Sequence, residues 1–193
     1  MAITSSMGTH KLYIRKGSRT DWVDYTGTLD STVPTAQVVA GRVFTITAGK
    51  LVPGLQTAQP GLFALSGLDA NNYPDVTRSR GMPRSGAVQF ATVTPFAAIE
   101  LVSTEFAETA TYAVGAPLTA SRTTAAHRGI ICLHGTTSTS GAGVFNGTFT
   151  SAATDPIIGY VAPAGKYTDA DGNQVLAFYP AYVIGSTAGA TFA

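Results

Sequence analysis

Residues 97–161 constrain the fold more than any other stretch, because they break into apolar runs too short for helices and separated by turn residues. "RGIICL" and "PIIGYV" contain the compact Ile-rich and Val-rich segments 129–133 and 157–161, which have strand length rather than ordinary helix length. Between 111 and 121, Tyr112, Val114 and Ala116 share one parity until Pro117 intervenes without an amide to donate. Residues 114–117 therefore read as a bulge or sharp bend, with Leu118 and Thr119 resuming an extended run. Three strands with bends and turns predict a small, closed or nearly closed β-structure.

The same grammar extends along the chain. "QVVAGRVFTITAGKLV" predicts a strand around Val38 and Val39, a turn or bulge at Gly41, a second strand and a further turn at Gly49. In that second strand Val43, Thr45 and Thr47 alternate with Phe44, Ile46 and Ala48, and Pro53-Gly54 ends the unit. "LFALSG" is a short apolar run, and Val88, Phe90 and Thr92 alternate with Gln89, Ala91 and Val93 until Pro95. Residues 97–108 contain good helix formers, so strand and helix both stay open there. Asn146-Gly147 is the best type I′ turn signal and joins "GVF" to "TFT". "KYTDADGNQVLAFYPAYVIG" predicts a closing hairpin that turns at Asp171-Gly172-Asn173.

The expected class is all-β: a small β-barrel or β-sandwich core with an extended N-terminal arm, long loops and little helix. Residues 1–34 form the arm or peripheral segment, 35–185 a single β-rich domain, and 186–193 a small-residue tail whose one large side chain is Phe192. The arm carries Tyr13, Arg15, Lys16 and Trp22 as candidate partner-binding groups; Trp22 serves either as an anchor on a partner or as part of the protein's own core. Residues 68–86 form a long projecting loop in which Arg78, Arg80 and Arg84 are a tight cluster of one sign. That cluster is either a solvated loop face or a patch that grips carboxylates.

Charged residues make up only 12% of the 193, about half the usual share of roughly 25%. A surface so poor in charge, and rich in Gly, Ala, Thr and Ser, is suited to being covered by partners; secreted β-proteins with Thr-rich surfaces are the competing class. A net charge of +1 provides no global field toward nucleic acid or an anionic membrane, so neither is an expected partner. Cys132 is the only cysteine, which leaves stability to packing and association. No run is long enough to span a bilayer as a helix, and the N-terminal charges lie in the wrong order for a signal peptide, so a protein made and used without secretion is expected.

Catalytic and metal patterns are weak. The Asp169-Ala170-Asp171-Gly172-Asn173 segment lacks the spacing and terminal Glu of a calcium loop and reads as a hairpin turn. His127, Cys132 and His134 fall close together without a second Cys/His pair, and Cys132 between Ile131 and Leu133 suits burial. Residues 185–189 place Thr187 where a nucleophile elbow needs serine, and phosphate-loop and dinucleotide glycine patterns do not occur. No enzyme, cofactor or metal is therefore expected.

The low-charge run "ATVTPFAAIELVSTEF", the succession "YAVGAPLTAS", "RGIICL", "DPIIGYV" and the Gly/Ala/Thr-rich ends resemble the head decoration, or capsid cement, proteins of tailed bacteriophages. The resemblance covers residues 91–163, a little under two fifths of the chain. It implies a β-barrel or related core and a homotrimer on the capsid exterior that bridges neighbouring major capsid protein subunits. The protein would be made in the host bacterial cytoplasm and end in the virion. The alternative is a carbohydrate-binding or other ligand-binding β-module that stacks its ligand on Tyr167, Tyr179 and Tyr182.

Overall fold

Short β-branched and aromatic runs separated by glycine turns become strands in the computed structural model of the protein, which describes residues 10–17, 22–34, 37–55, 62–64, 87–93, 99–122, 127–140 and 147–183. Among these residues no α-helix forms. The strands are β1 (Leu12–Lys16), β2 (Trp22–Thr28), β3 (Val43–Thr47), β4 (Lys50–Pro53), β5 (Leu62–Ala64), β6 (Ala87–Val93) and β7 (Glu100–Ser103). They continue with β8 (Pro117–Ala120), β9 (Ile131–Leu133), β10 (Thr137–Ser140), β11 (Gly147–Thr150), β12 (Ile157–Thr168) and β13 (Gln174–Val183).

A six-stranded sheet has the order β1-β7-β13-β12-β8-β9, a five-stranded sheet the order β2-β6-β5-β3-β4, and β10-β11 form a separate hairpin. The ladders in all three are antiparallel. The five-stranded sheet curls until Leu29, just past β2, bridges Leu51 in β4, and the Asp30 N–H donates to the Leu51 carbonyl at 3.0 Å. One bridge does not close a barrel, so the architecture is all-β and sandwich-like.

The main core lies between the two sheets. Val43 and Phe63 from the five-stranded sheet pack with Leu101, Leu118, Ile158 and Phe178 from the six-stranded one, and the Phe63 and Phe178 rings stand 5.4 Å apart. Each such side chain contributes about 1.5–3 kcal/mol by leaving water. On β13 Leu176 and Phe178 face this core, whereas Val175 and Ala177 join Val102 and Ala162 in a second cluster on the outer face. A third cluster (Ala107, Ile130, Cys132 and Phe149) seats the β10-β11 hairpin.

Several expectations are met locally. Gly41, Gly49, Gly54, Gly115 and Gly172 all have positive φ, and the Asp169–Asn173 turn joins β12 to β13 as read. Pro117 opens β8 opposite Tyr160, a first-strand position that tolerates the missing amide.

Others are corrected. The segment read as a peripheral arm supplies β1, paired with β7, and β2, paired with β6. Residues 38–39 form no strand: the Gly41 amide goes to the Ala64 carbonyl within a turn, and Val38 packs with Phe44 and Leu51. The 100–103 segment is strand rather than helix, because Leu101 and Val102 serve opposite faces of the sheet, as a two-residue period requires. Gly147 lies within β11 opposite Ser140, and "TFT" pairs with "TST" at 137–139, whereas "GVF" lies outside the described residues. The projecting loop 68–86 lies outside the described residues.

Candidate functional site: a charged seam along the first strand

In "HKLYIRK" apolar Leu12 and Ile14 alternate with Lys11, Tyr13 and Arg15. A strand turns such a pattern into two faces. Leu12 and Ile14 pack against the inter-sheet core, and Tyr13 packs against the outer cluster. The polar side of β1 thereby meets carboxylates from β7 and from the β12-β13 turn.

Glu100 on β7 is fully buried. Its Oε1 accepts from Arg15 Nη1 at 2.5 Å, and Lys16 Nζ stands 3.3 Å from Oε2, close enough for charge pairing although Oε2 receives no well-aligned hydrogen bond. Consecutive strand residues normally point to opposite faces. Here the β1-β7 register shifts between Ile14 and Lys16, and this irregularity lets two successive cations address one carboxylate. The hydrogen bond to Glu100 and its charge raise the pKa of Arg15. The Arg15 guanidinium also lies 6.0 Å from the centre of the Tyr167 ring, and the Tyr13 and Tyr167 hydroxyls are 3.4 Å apart. Burial, followed by that hydroxyl contact, raises the pKa of Tyr13.

At the start of β1, Lys11 is buried and its Nζ donates to Asp169 Oδ2 at 2.9 Å and to Asp171 Oδ2 at 2.5 Å. The other Asp169 oxygen accepts the N–H groups of Asp171 and Asn173 at 3.0 and 2.8 Å. The carboxylates that invited a calcium reading thus converge on an ammonium. Burial opposes the charged form of Lys11, but the bonds to Asp171 and Asp169 outweigh it and raise its pKa. Burial likewise works against ionised Asp169, and the Lys11 and Asn173 contacts overcome it to lower its pKa.

On the inner face, Glu105 is fully buried where the two sheets meet. Its Oε2 accepts from Arg42 Nε and Nη2 at 3.2 and 3.1 Å, and its Oε1 lies 2.5 Å from His10 Nδ1. Gly41 makes this approach possible: at φ +92° a Cβ there would lie 2.4 Å from Ser103 Oγ and 2.9 Å from the Lys11 carbonyl oxygen.

Of the residues singled out from sequence, the structure brings Tyr13, Arg15 and Lys16 together on β1. Trp22 opens β2 in the other sheet, opposite Val93. Arg78, Arg80, Arg84 and Phe192 lie outside the described residues. Sequence reading missed Lys11, Arg42, Glu100, Glu105 and Asp169. The period-two alternation in "HKLYIRK" was the signal that placed Lys11 with Tyr13 and Arg15; the carboxylates lie too far along the chain for any spacing rule.

The other candidate chemistry resolves into packing. Cys132 is buried, and burial pushes its thiol up to about 12 against the opposing effect of a Ser151 hydrogen bond. His134 Nε2 lies 2.9 Å from the Asp155 carbonyl oxygen, and His127 packs on the Phe149 ring at 5.0 Å. Among the described residues no group of three His, Cys, Asp or Glu side chains could hold a metal ion. Tyr167 and Tyr179 share the outer face of the six-stranded sheet, where Tyr179 pairs with Tyr160 and is 38% exposed. Tyr182 lies in β13.

Compared with family models, curated proteins and solved structures, the chain gives no match.

Proposed function

We propose that this chain is a non-enzymatic structural protein of a phage particle, a cement that binds the capsid exterior and bridges neighbouring major capsid protein subunits as a homotrimer. The observation that carries the reading is where the charge goes. Charged residues are only 12% of the chain, and Lys11, Arg15, Lys16 and Arg42 are spent on Asp169, Asp171, Glu100 and Glu105 within the fold. The chain as a whole is rich in Thr, Ser, Gly and Ala. Interface cores are depleted of charge, and a cement buries such surface on several partners at once, so that modest contacts add through multivalency. Assembly in the host cytoplasm and residence on the virion exterior follow from that role.

The test is electron microscopy of the purified protein mixed with bare expanded capsids. Regular density on the outer surface supports the reading, and unchanged capsids at saturating protein overturn it. A version lacking residues 1–9 keeps β1 and separates a capsid-gripping terminus from the folded sheet. Undiminished occupancy removes that terminus from the mechanism.

A second reading rests on the outer tyrosines. Tyr179, 38% exposed, and half-buried Tyr160 form a cross-strand pair on the outer face, the kind of platform on which a sugar ring stacks. Glycan-dependent thermal stabilisation that Tyr179→Ala abolishes favours this ligand-binding module over the cement.

A further inference from the structure

The loop between β8 and β9 closes on itself at a narrow neck. The Ser121 N–H donates to the Ile130 carbonyl at 2.7 Å, and the Gly129 N–H donates to the Ser121 carbonyl at 3.1 Å. Arg122 and Arg128 therefore leave the neck from adjacent backbone positions, although they stand six positions apart in sequence. The neck is tied to the five-stranded sheet, since Val43 N–H donates to the Gly129 carbonyl at 2.8 Å and Gly54 N–H to the Val43 carbonyl at 2.9 Å.

Two glycines hold the arrangement in place. At Gly129, φ +85°, a Cβ would lie 2.4 Å from the Val43 carbonyl oxygen, so no other residue fits between neck and strand. At Gly54, φ +104°, a Cβ would lie 3.0 Å from Arg128 Cγ. The Arg128 stem thus lies across bare backbone. Together these groups border a cleft of about 540 Å³, with Thr45, Thr47 and Ser121 supplying hydroxyls and Val52 and Leu55 supplying apolar wall. That volume falls within the range of small-ligand sites.

The two arginines differ in their compensation. Arg122 Nη2 pairs with Asp155 Oδ1, and that carboxylate is buried and fixed by the Ala152 N–H at 2.8 Å. Among the described residues Arg128 forms no ion pair. Among the described residues the cleft therefore presents one guanidinium without an ion-pair partner, beside hydroxyls and apolar side chains. A single planar cation matches a singly charged, planar carboxylate better than a phosphate dianion, and the apolar wall has use only for a ligand that carries carbon.

We infer that this cleft binds a carboxylate carried on a short apolar stem, with Arg128 gripping the carboxylate and Val52 and Leu55 covering the stem. The inference does not rest on the capsid reading. Such an acid is either a free small molecule or a glutamate side chain of another chain, and the chemistry is the same.

The test is titration of the isotopically labelled protein, followed by its amide resonances, with hexanoate, hexanamide and inorganic phosphate. The expected result is saturable, millimolar binding of hexanoate that moves Thr45, Thr47, Gly54 and Arg128, with hexanamide and phosphate at least roughly tenfold weaker. Arg128→Gln should weaken hexanoate by about tenfold or more, and Arg128→Lys, which keeps the charge but loses the fork, by less, while resonances of the six-stranded sheet stay in place. Equal binding of hexanamide, undiminished binding by Arg128→Gln, or no saturable shift overturns the inference. A blocked tripeptide with a central glutamate that binds more tightly than hexanoate assigns the acid to a partner chain, and the reverse order assigns it to a free small acid.

Discussion

Glu100 opens β7 and Glu105 follows just past its end, and both are fully buried, yet they keep different company. Glu105 faces the other sheet and meets Arg42, whose side chain is 4% exposed, and His10, whose side chain is 36% exposed. Glu100 faces outward and meets Arg15 and Lys16, whose side chains are 38% and 60% exposed. Water can reach both cations of Glu100, whereas at Glu105 it reaches His10 but not Arg42. The same residue type is therefore an inter-sheet tie in one place and an edge fastener in the other.

Arg42→Met should have the largest effect, because it leaves buried Glu105 with only the partly exposed His10 as a partner: about 3–5 kcal/mol lost in urea denaturation. Adding Glu105→Leu should recover most of it, and a double variant as unstable as the single one breaks the contrast. Lys11→Met should come next, at about 1–3 kcal/mol, because it strips Asp169 of its buried donor.

That second variant also changes the pH profile. The lowered pKa of Asp169 contributes stability that is full above its ordinary value of 3.8 and is lost as pH falls through the folded value. The raised pKa of Lys11 contributes stability that is full below 10.5 and is lost as pH rises through the folded value. The cluster is thus fully effective between those two values, and Lys11→Met should flatten both limbs in thermal melts across pH. Unchanged acid and alkaline limbs would remove the cluster from the account.

At the outer face the effects should be small. Arg15→Ala and Lys16→Ala should each cost less than Lys11→Met in urea denaturation, Lys16→Ala the least, and both effects should shrink in high salt. A Lys16 effect as large as that of Arg42 would show that exposure does not separate the two glutamates. The Arg15→Ala/Lys16→Ala pair should exceed the sum of the singles, since each cation covers for the other at Glu100.

Much of the fold was legible because strand chemistry is local. The β3-β4 hairpin with its turn at Gly49, the bend at Gly115 before Pro117, and the β12-β13 hairpin all follow from parity and from glycine's access to positive φ. The first strand was also legible in the alternation of "HKLYIRK", but the density of charge there masked it. Gly147 misled because an Asn-Gly pair favours a type I′ turn, whereas the ladder opposite Ser140 needs the glycine as a strand residue.

The sequence by itself determined the all-β class, the turns at Gly49 and Asp169–Asn173, the scarcity of charge and the burial of Cys132, since each depends on neighbours a few residues apart. Only the tertiary structure decided that Lys11 lies between Asp169 and Asp171, that Arg42 meets Glu105, and that Arg122 and Arg128 flank one cleft. These contacts join residues far apart in sequence, or around a closed neck, and pairing across sheets is set by register and packing rather than by spacing along the chain.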